Sequence, residues 1–140
     1  VYYTATDNAG NVTEQSIEVV VKEIDEKEII VNDLADKLIA ELVTEDMSKW
    51  DVCYNLWNWC RTNIKYTSTP GDMSSIYAGD YEGLNDKRGD CYAYYSTLTV
   101  LLEKCGIKTM AVHRVGGETD HVWNLVNLGD GWYHWSQRCR

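Results

Sequence analysis

The spacing of hydrophobic residues along the chain changes from alternation to a helical period after the first twenty residues or so. Residues 1–6 and 12–21 are rich in β-branched and aromatic side chains, and the segment between them has the Asp, Asn and Gly of a turn. This pattern predicts an N-terminal β-hairpin. The strongly charged residues 22–27 predict a linker that follows it.

A helical period follows the linker. Asp33 is placed to cap a helix that runs to about residue 44, because Leu34, Leu38 and Leu42 recur on one face. A second helix is predicted from about residues 46–48 to residue 62. Residues 67–88 contain several Gly and polar residues and predict a long irregular loop, which inside a compact domain is more often functional than not.

The second half of the chain predicts one more helix and then strands. Apolar residues at helical spacing span residues 91–105, and Gly106 is placed to end that helix. Residues 107–115, 120–127 and 132–136 have strand composition. The whole order predicts an α+β fold in which helices pack on an antiparallel sheet, preceded by a β-hairpin.

Composition narrows the function classes. Of the 140 residues, 44% are hydrophobic, which is typical of a folded domain. The net charge of −9 argues against a nucleic-acid-binding role. Its apolar runs fall far short of the roughly 18–20 residues of a membrane span. Five Cys without a C-x-x-C pair and three His argue against a metal site, and no cofactor is implied.

Candidate chemistry centres on Cys91, which follows Gly89-Asp90 at the predicted start of a helix. The N–H groups and dipole of a helix N-terminus stabilise a thiolate, so we expect the pKa of Cys91 to be lowered. The same N–H groups could hold the oxyanion of an acyl-transfer intermediate. His121, at the start of a predicted strand, is placed to act as the base of this thiol.

Several segments in this order resemble the transglutaminase-like superfamily, in its bacterial surface form. They are Gly89-Asp90-Cys91, Gly106-Ile107, His121-x-Trp123-Asn124-Leu125-Val126 and Gly131-Trp132-Tyr133-His134, and the resemblance covers about residues 29–135. The resemblance implies a papain-like fold in which Cys91 is the nucleophile and His121 the general base. We expect Trp123, Tyr92 and Asp90 to contribute to the substrate site.

The third catalytic position departs from the pattern. The resemblance implies Asp where this chain has Ser136, which can accept a hydrogen bond but supplies no charge. A hairpin closed by residues 127–130 would pair residue 126 with residue 131 and would put Ser136 opposite His121. We therefore assign Ser136 to the degraded third position of a Cys-His-Asp set.

Two functions remain open. The chain is either a thiol acyl-transferase or cysteine protease/amidase acting on protein or peptide amides, with cell-wall peptide as one candidate, or a catalytically weak binding or adhesion module of the same fold. Residues 1–24 resemble the end of a bacterial immunoglobulin-like repeat plus a linker, which implies an extracellular or cell-surface location. Residues 25–140 then form the transglutaminase-like domain, whose C-terminus ends earlier than the family pattern.

Overall fold

The structure, a computed structural model, describes residues 1–19 and 25–136. Strands β1 (Tyr2–Thr6) and β2 (Val12–Ser16) pair antiparallel, which confirms the predicted hairpin. Both strands are exposed along their whole length. The predicted second strand ends earlier, at Ser16, and the last two of its predicted residues lie outside the described residues.

Helix α1 (Glu26–Leu42) begins eight residues before the predicted start. Asp25 is its N-cap and accepts a hydrogen bond from the backbone of Lys27, so the prediction of a linker through residue 27 is wrong at its end. The predicted cap, Asp33, lies inside the helix and forms a surface ion pair with Lys37. The apolar residues before Asp33 explain the difference, because burial of Val31 extends the helix toward its N-terminus.

Helix α2 (Lys49–Asn63) agrees with the prediction. Ser48 caps it, and the side chain of Asp51 bonds back to the Ser48 backbone in a capping box. Its inner face contributes Val52, Cys53, Leu56 and Cys60 to the core.

Helix α3 (Ile76–Leu84) lies inside the segment predicted as an irregular loop, so that prediction is wrong for these residues. It was not predicted because it contains two glycines, which disfavour a helix in isolation. A Cβ atom at Gly83 would overlap the hydroxyl of Thr97, and one at Gly79 would crowd the ring of Tyr92. The glycines therefore permit α3 to pack closely against the helix that follows.

That helix, α4 (Cys91–Lys104), is the centre of the fold. It is preceded by β4 (Arg88–Gly89), which pairs in parallel with the short strand β3 (Lys65–Tyr66). A Cβ atom at Gly89 would overlap that of Ala93, so this close approach requires glycine immediately before the helix start. The middle of α4 is buried between α2, α3 and the sheet.

The sheet has the order β5 (Thr109–His113), β6 (Val122–Asn127), β7 (Trp132–Trp135), with both pairs antiparallel. The predicted antiparallel sheet and α+β class are confirmed. Alternate residues of β6 face α4 and are buried, and Val126 is completely so. The core cluster joins the inner faces of α1, α2 and α4 to this side of the sheet.

The register of β6 and β7 differs from the predicted one. Val126 pairs with Tyr133 and Asn124 with Trp135, so the connection comprises residues 128–131. The expectation that residue 126 pairs with residue 131 is therefore wrong by two residues. Continued by one pair, the observed register puts Ser136 opposite Trp123 and only diagonally next to His121.

The described residues contain neither a membrane-spanning helix nor a metal-binding cluster. Across residues 1–19 and 25–136, none of the helices has the length and apolar character needed to cross a membrane. In the same residues no group of three or more His, Cys, Asp or Glu side chains is arranged to hold a metal ion.

Candidate active site

Cys91 is the first residue of α4, and Asp90 caps this helix. One carboxylate oxygen of Asp90 accepts from the backbone N–H groups of Tyr92 at 2.9 Å and Ala93 at 3.4 Å. The other accepts from the N–H of Gly71 at 3.2 Å and so fastens the preceding loop to the helix start. Asp90 therefore fixes the backbone on which the Cys91 side chain is carried.

This cap changes the expected chemistry of the helix start. The N–H groups of Tyr92 and Ala93 bond the Asp90 side chain, and that of Tyr94 donates to the Asp90 carbonyl at 3.3 Å. These three groups already donate to Asp90, which argues against the expectation that they hold a substrate oxyanion. The carboxylate charge of Asp90 also offsets part of the positive end of the helix dipole.

His121 directly precedes β6, and its ring stacks on that of Trp123 with 5.4 Å between ring centroids. The indole Nε1–H of Trp123 donates to Nδ1 of His134 on β7 at 2.8 Å. Burial lowers the pKa of His121, and the positive charge of Arg114 lowers it further. The imidazole is therefore neutral at neutral pH and able to accept a proton.

Cys91 and His121 line one small cleft between the start of α4 and the sheet, with about 200 Å³ of empty space including its open mouth. Of the other predicted site residues, Trp123 lines this cleft and Tyr92 and Asp90 do not. Tyr92 instead packs against Tyr95 and α3, with 5.8 Å between the two tyrosine ring centroids.

Ser136 is exposed and directly follows β7. It does not belong to the lining of the cleft. Its diagonal position relative to His121 leaves a distance of roughly 7–8 Å between the two backbones, which a long side chain spans more readily than a serine.

Asn124 and Trp135 are among the cleft residues that were not assigned a role from the sequence. Asn124 is buried, and its amide donates to the carbonyl of Tyr95 at 3.2 Å and to the hydroxyl of Thr99 at 2.7 Å, which ties β6 to α4. Trp135 lines the cleft from β7 and packs against Trp50 of α2, with 5.1 Å between ring centroids. Asn124 could have been found from the sequence, because it follows Trp123 in the His121-x-Trp123-Asn124 motif. Nothing in the sequence singled out Trp135.

Comparison with known proteins agrees with this geometry. Residues 36–136 match the family model of the transglutaminase-like superfamily. The match extends over well over half of the chain and spans both Cys91 and His121. The chain therefore belongs to the transglutaminase-like superfamily.

Solved structures show the same fold. A crystal structure of a TGase superposes with a TM-score of 0.65 at 16% identity, covering 81% of this chain and 33% of that one. A protein from Cytophaga hutchinsonii described as a candidate cysteine protease superposes with a TM-score of 0.60 at 10% identity, covering 98% of this chain and 61% of that one. A search of curated protein sequences gives no significant match. The chain thus spans one third and about three fifths of the two structural neighbours.

Proposed function

We propose that this chain breaks amide bonds of proteins or peptides, with Cys91 as nucleophile and His121 as its base. The observation that carries the proposal is that a cysteine at the start of a buried helix and a histidine at the start of a strand line one cleft. The lowered pKa of His121 supports the assignment, because a neutral imidazole can take the thiol proton.

The reaction proceeds by acyl transfer through a thioester. His121 accepts the proton of Cys91, the sulfur attacks the amide carbonyl, and the C–N bond breaks as the amine leaves with that proton. Water then cleaves the thioester to a carboxylic acid, or a second amine takes the acyl group and forms a new amide. Either route returns Cys91 to the thiol, so the same site serves a hydrolase or an acyl-transferase.

A second function is favoured by the departures from a complete Cys-His-Asp set. Position 136 carries no charge to stabilise an imidazolium, and Asp90 occupies three of the first-turn N–H groups. In the serine-protease set, replacing the acid by a neutral amide lowers turnover by about 10⁴-fold. A module that uses the cleft to bind a peptide with little turnover is therefore the alternative.

Alkylation of the individual thiols separates the two functions. The protein is treated with iodoacetamide between about pH 5 and pH 9, and each cysteine is followed by peptide mass spectrometry. Burial raises the pKa of Cys53 to about 12 and also raises those of Cys60 and Cys105, so these thiols should react slowly at pH 7. For an enzyme we expect Cys91 to react fastest.

The His121→Ala variant should slow the reaction of Cys91 at pH 7 by at least about tenfold, since a positioned general base is typically worth 10²–10⁴. His113→Ala is the matched control, because His113 lies on β5 and does not line the cleft. If Cys91 reacts no faster than Cys105, or if His121→Ala has no effect, the enzyme proposal fails and the binding module replaces it.

We further propose that the domain acts outside the cell or at its surface, on protein or peptide partners that include cell-wall peptide. The support is the resemblance of the N-terminal hairpin to the end of a bacterial immunoglobulin-like repeat. Fractionation of the source cells, with surface proteolysis of the intact protein, tests this location. Protein confined to the cytosolic fraction would contradict it.

A further inference from the structure

Arg114 lies directly beside the proposed base. Its backbone N–H donates to the carbonyl of His121 at 2.9 Å, which extends the β5–β6 ladder by one pair beyond His113 and Val122. Residues paired in this way project their side chains from the same face, with Cβ atoms about 4.5–5.5 Å apart. The Arg114 side chain therefore starts next to the His121 imidazole.

The loop after β5 holds the guanidinium group in place. One terminal nitrogen of Arg114 donates to the backbone carbonyl of Thr119 and, at 2.6 Å, to its hydroxyl. The group lies over Gly117, where a Cβ atom would approach Nε to 3.2 Å. A guanidinium has five N–H donors. Those on Nε and the other terminal nitrogen have no acceptor in the part of the chain that the structure describes.

The charge of Arg114 is also not neutralised. Among the described residues, the salt bridges involve lysines: Lys27, Lys37 and Lys104, each with an aspartate. Glu118 and Asp120 lie in the same loop as Arg114, yet neither forms an ion pair with it. Arg114 is thus an oriented and exposed cation next to His121, in a loop that also carries two acidic residues.

We propose that Arg114 binds a carboxylate group of the substrate that lies next to the scissile amide. The inference rests on the proposed function and names its substrate class: peptides with an acidic side chain or a free C-terminal carboxylate beside the bond that is broken. Arg prefers such planar partners because its donors match the carboxylate oxygens.

The bound carboxylate has a second effect on the site. Its negative charge offsets the positive charge of Arg114, which lowers the pKa of His121. The carboxylate itself also lies close to the imidazole. The other titratable groups around this ring are Cys91, Tyr94 and Tyr95 on α4 and Asp120, its neighbour in the chain. Trp123 separates the ring from His134. The substrate thus supplies the negative charge that the family pattern places at position 136.

Two alkylating reagents of similar size, one charged and one neutral, test the proposal without a known substrate. Iodoacetate carries a carboxylate and iodoacetamide a neutral amide, and with both the thiolate sulfur displaces iodide. The ratio of the two rates is measured at Cys91 and divided by the ratio at Cys105, which lies about 20 Å away at the other end of α4. We expect Cys91 to favour iodoacetate by about tenfold or more, and the preference to shrink with added salt.

Matched variants isolate the role of Arg114. Arg114→Gln should bring the normalised ratio close to one, and Lys37→Gln, which removes an equal charge on the exposed face of α1, should leave it unchanged. If Arg114→Gln fails to fold, Thr119→Val serves as the second variant. It removes the hydroxyl that orients the guanidinium and should reduce the preference for iodoacetate. A normalised ratio near one in the unmodified protein overturns the proposal.

The same experiment distinguishes this failure from failure of the proposed function. If Cys91 reacts rapidly and in a His121-dependent way but shows no preference for iodoacetate, only the carboxylate site is wrong. If Cys91 is inert toward both reagents, the proposed function fails, and the carboxylate site fails with it. An equal preference in the protein and in Arg114→Gln would show that another cation is responsible and would also overturn the assignment.

Discussion

Replacement of Asp80 by Asn tests whether the carboxyl group buried between α3 and α4 is neutral. Asp80 is completely buried, and neither of its carboxylate oxygens has a hydrogen-bond partner among residues 1–19 and 25–136. Burial raises the pKa of Asp80 to about 8. The hydroxyl of Thr97 opposes this shift, although it forms no hydrogen bond of normal geometry with the carboxylate. The folded protein therefore keeps this carboxyl group protonated at pH 7.

The size of the effect follows from the linkage between protonation and folding. Unfolding returns the pKa of Asp80 toward its ordinary value of 3.8, so the unfolded chain loses a proton that the folded chain keeps. The stability from this group is complete below the unfolded pKa and is lost as the pH rises to the folded one. Between pH 5 and pH 8 the loss is about 3–4 kcal/mol, since one pKa unit corresponds to about 1.4 kcal/mol.

Urea unfolding at several pH values measures this loss. We expect the free energy of unfolding of Asp80→Asn, relative to the unmodified protein, to rise by about 3–4 kcal/mol between pH 5 and pH 8. The amide has unsatisfied donors of its own, which cost about 1–3 kcal/mol. This cost lowers the free energy of unfolding of the variant at every pH but does not change its dependence on pH. Asp36→Asn is the control, because the Asp36 side chain is 68% exposed on α1. Parallel pH profiles for the protein and Asp80→Asn would refute the buried neutral carboxyl.

Three further predictions concern the cleft and its support. Ser136→Asp should raise the rate of Cys91 alkylation at pH 6 by at least about tenfold, because a negative charge diagonal to His121 stabilises its imidazolium; an unchanged rate would contradict the assignment of position 136 to the catalytic set. Trp123→Ala should raise the pKa of His121 toward 6.5 in an NMR titration, because burial is the main cause of its lowering; a smaller rise is expected for Trp123→Phe, which keeps a ring. Gly83→Ala should destabilise the protein by about 1–3 kcal/mol in thermal unfolding, and a simultaneous Thr97→Ala should recover much of the loss, since the new methyl group would overlap the Thr97 hydroxyl.

Local sequence determined much of what carries the chemistry. Asp90 followed by Cys91 and a helical period of apolar residues specifies a capped helix start, because the cap bonds are formed within four residues of the chain. The hairpin, α2 and the three strands of the sheet follow in the same way from turn residues and hydrophobic spacing. The sequence also led to the expectation that Cys91 and His121 act together, from their predicted positions and from the family resemblance of the segments around them.

Contacts between distant segments decided the rest. Helix α3 has Gly79 and Gly83 at positions where a local reading finds no helix, and it forms because these glycines allow close packing on α4. Alternation of side chains cannot fix the β6–β7 register, because a shift by two residues returns every side chain to the same face. The observed register is the one in which Trp135 packs in the core against Trp50.

The surroundings of His121 belong to this second class. The sequence analysis assigned Arg114 no role, and the β5–β6 pairing puts it side by side with residue 121. The lowered pKa of His121 arises from burial and from that neighbour, both of which exist only in the folded chain. The sequence by itself therefore determined which residues could react, because helix capping and hydrophobic spacing act over a few residues. The tertiary structure decided which charges surround them, because those charges come from segments that meet only when the sheet packs on α4.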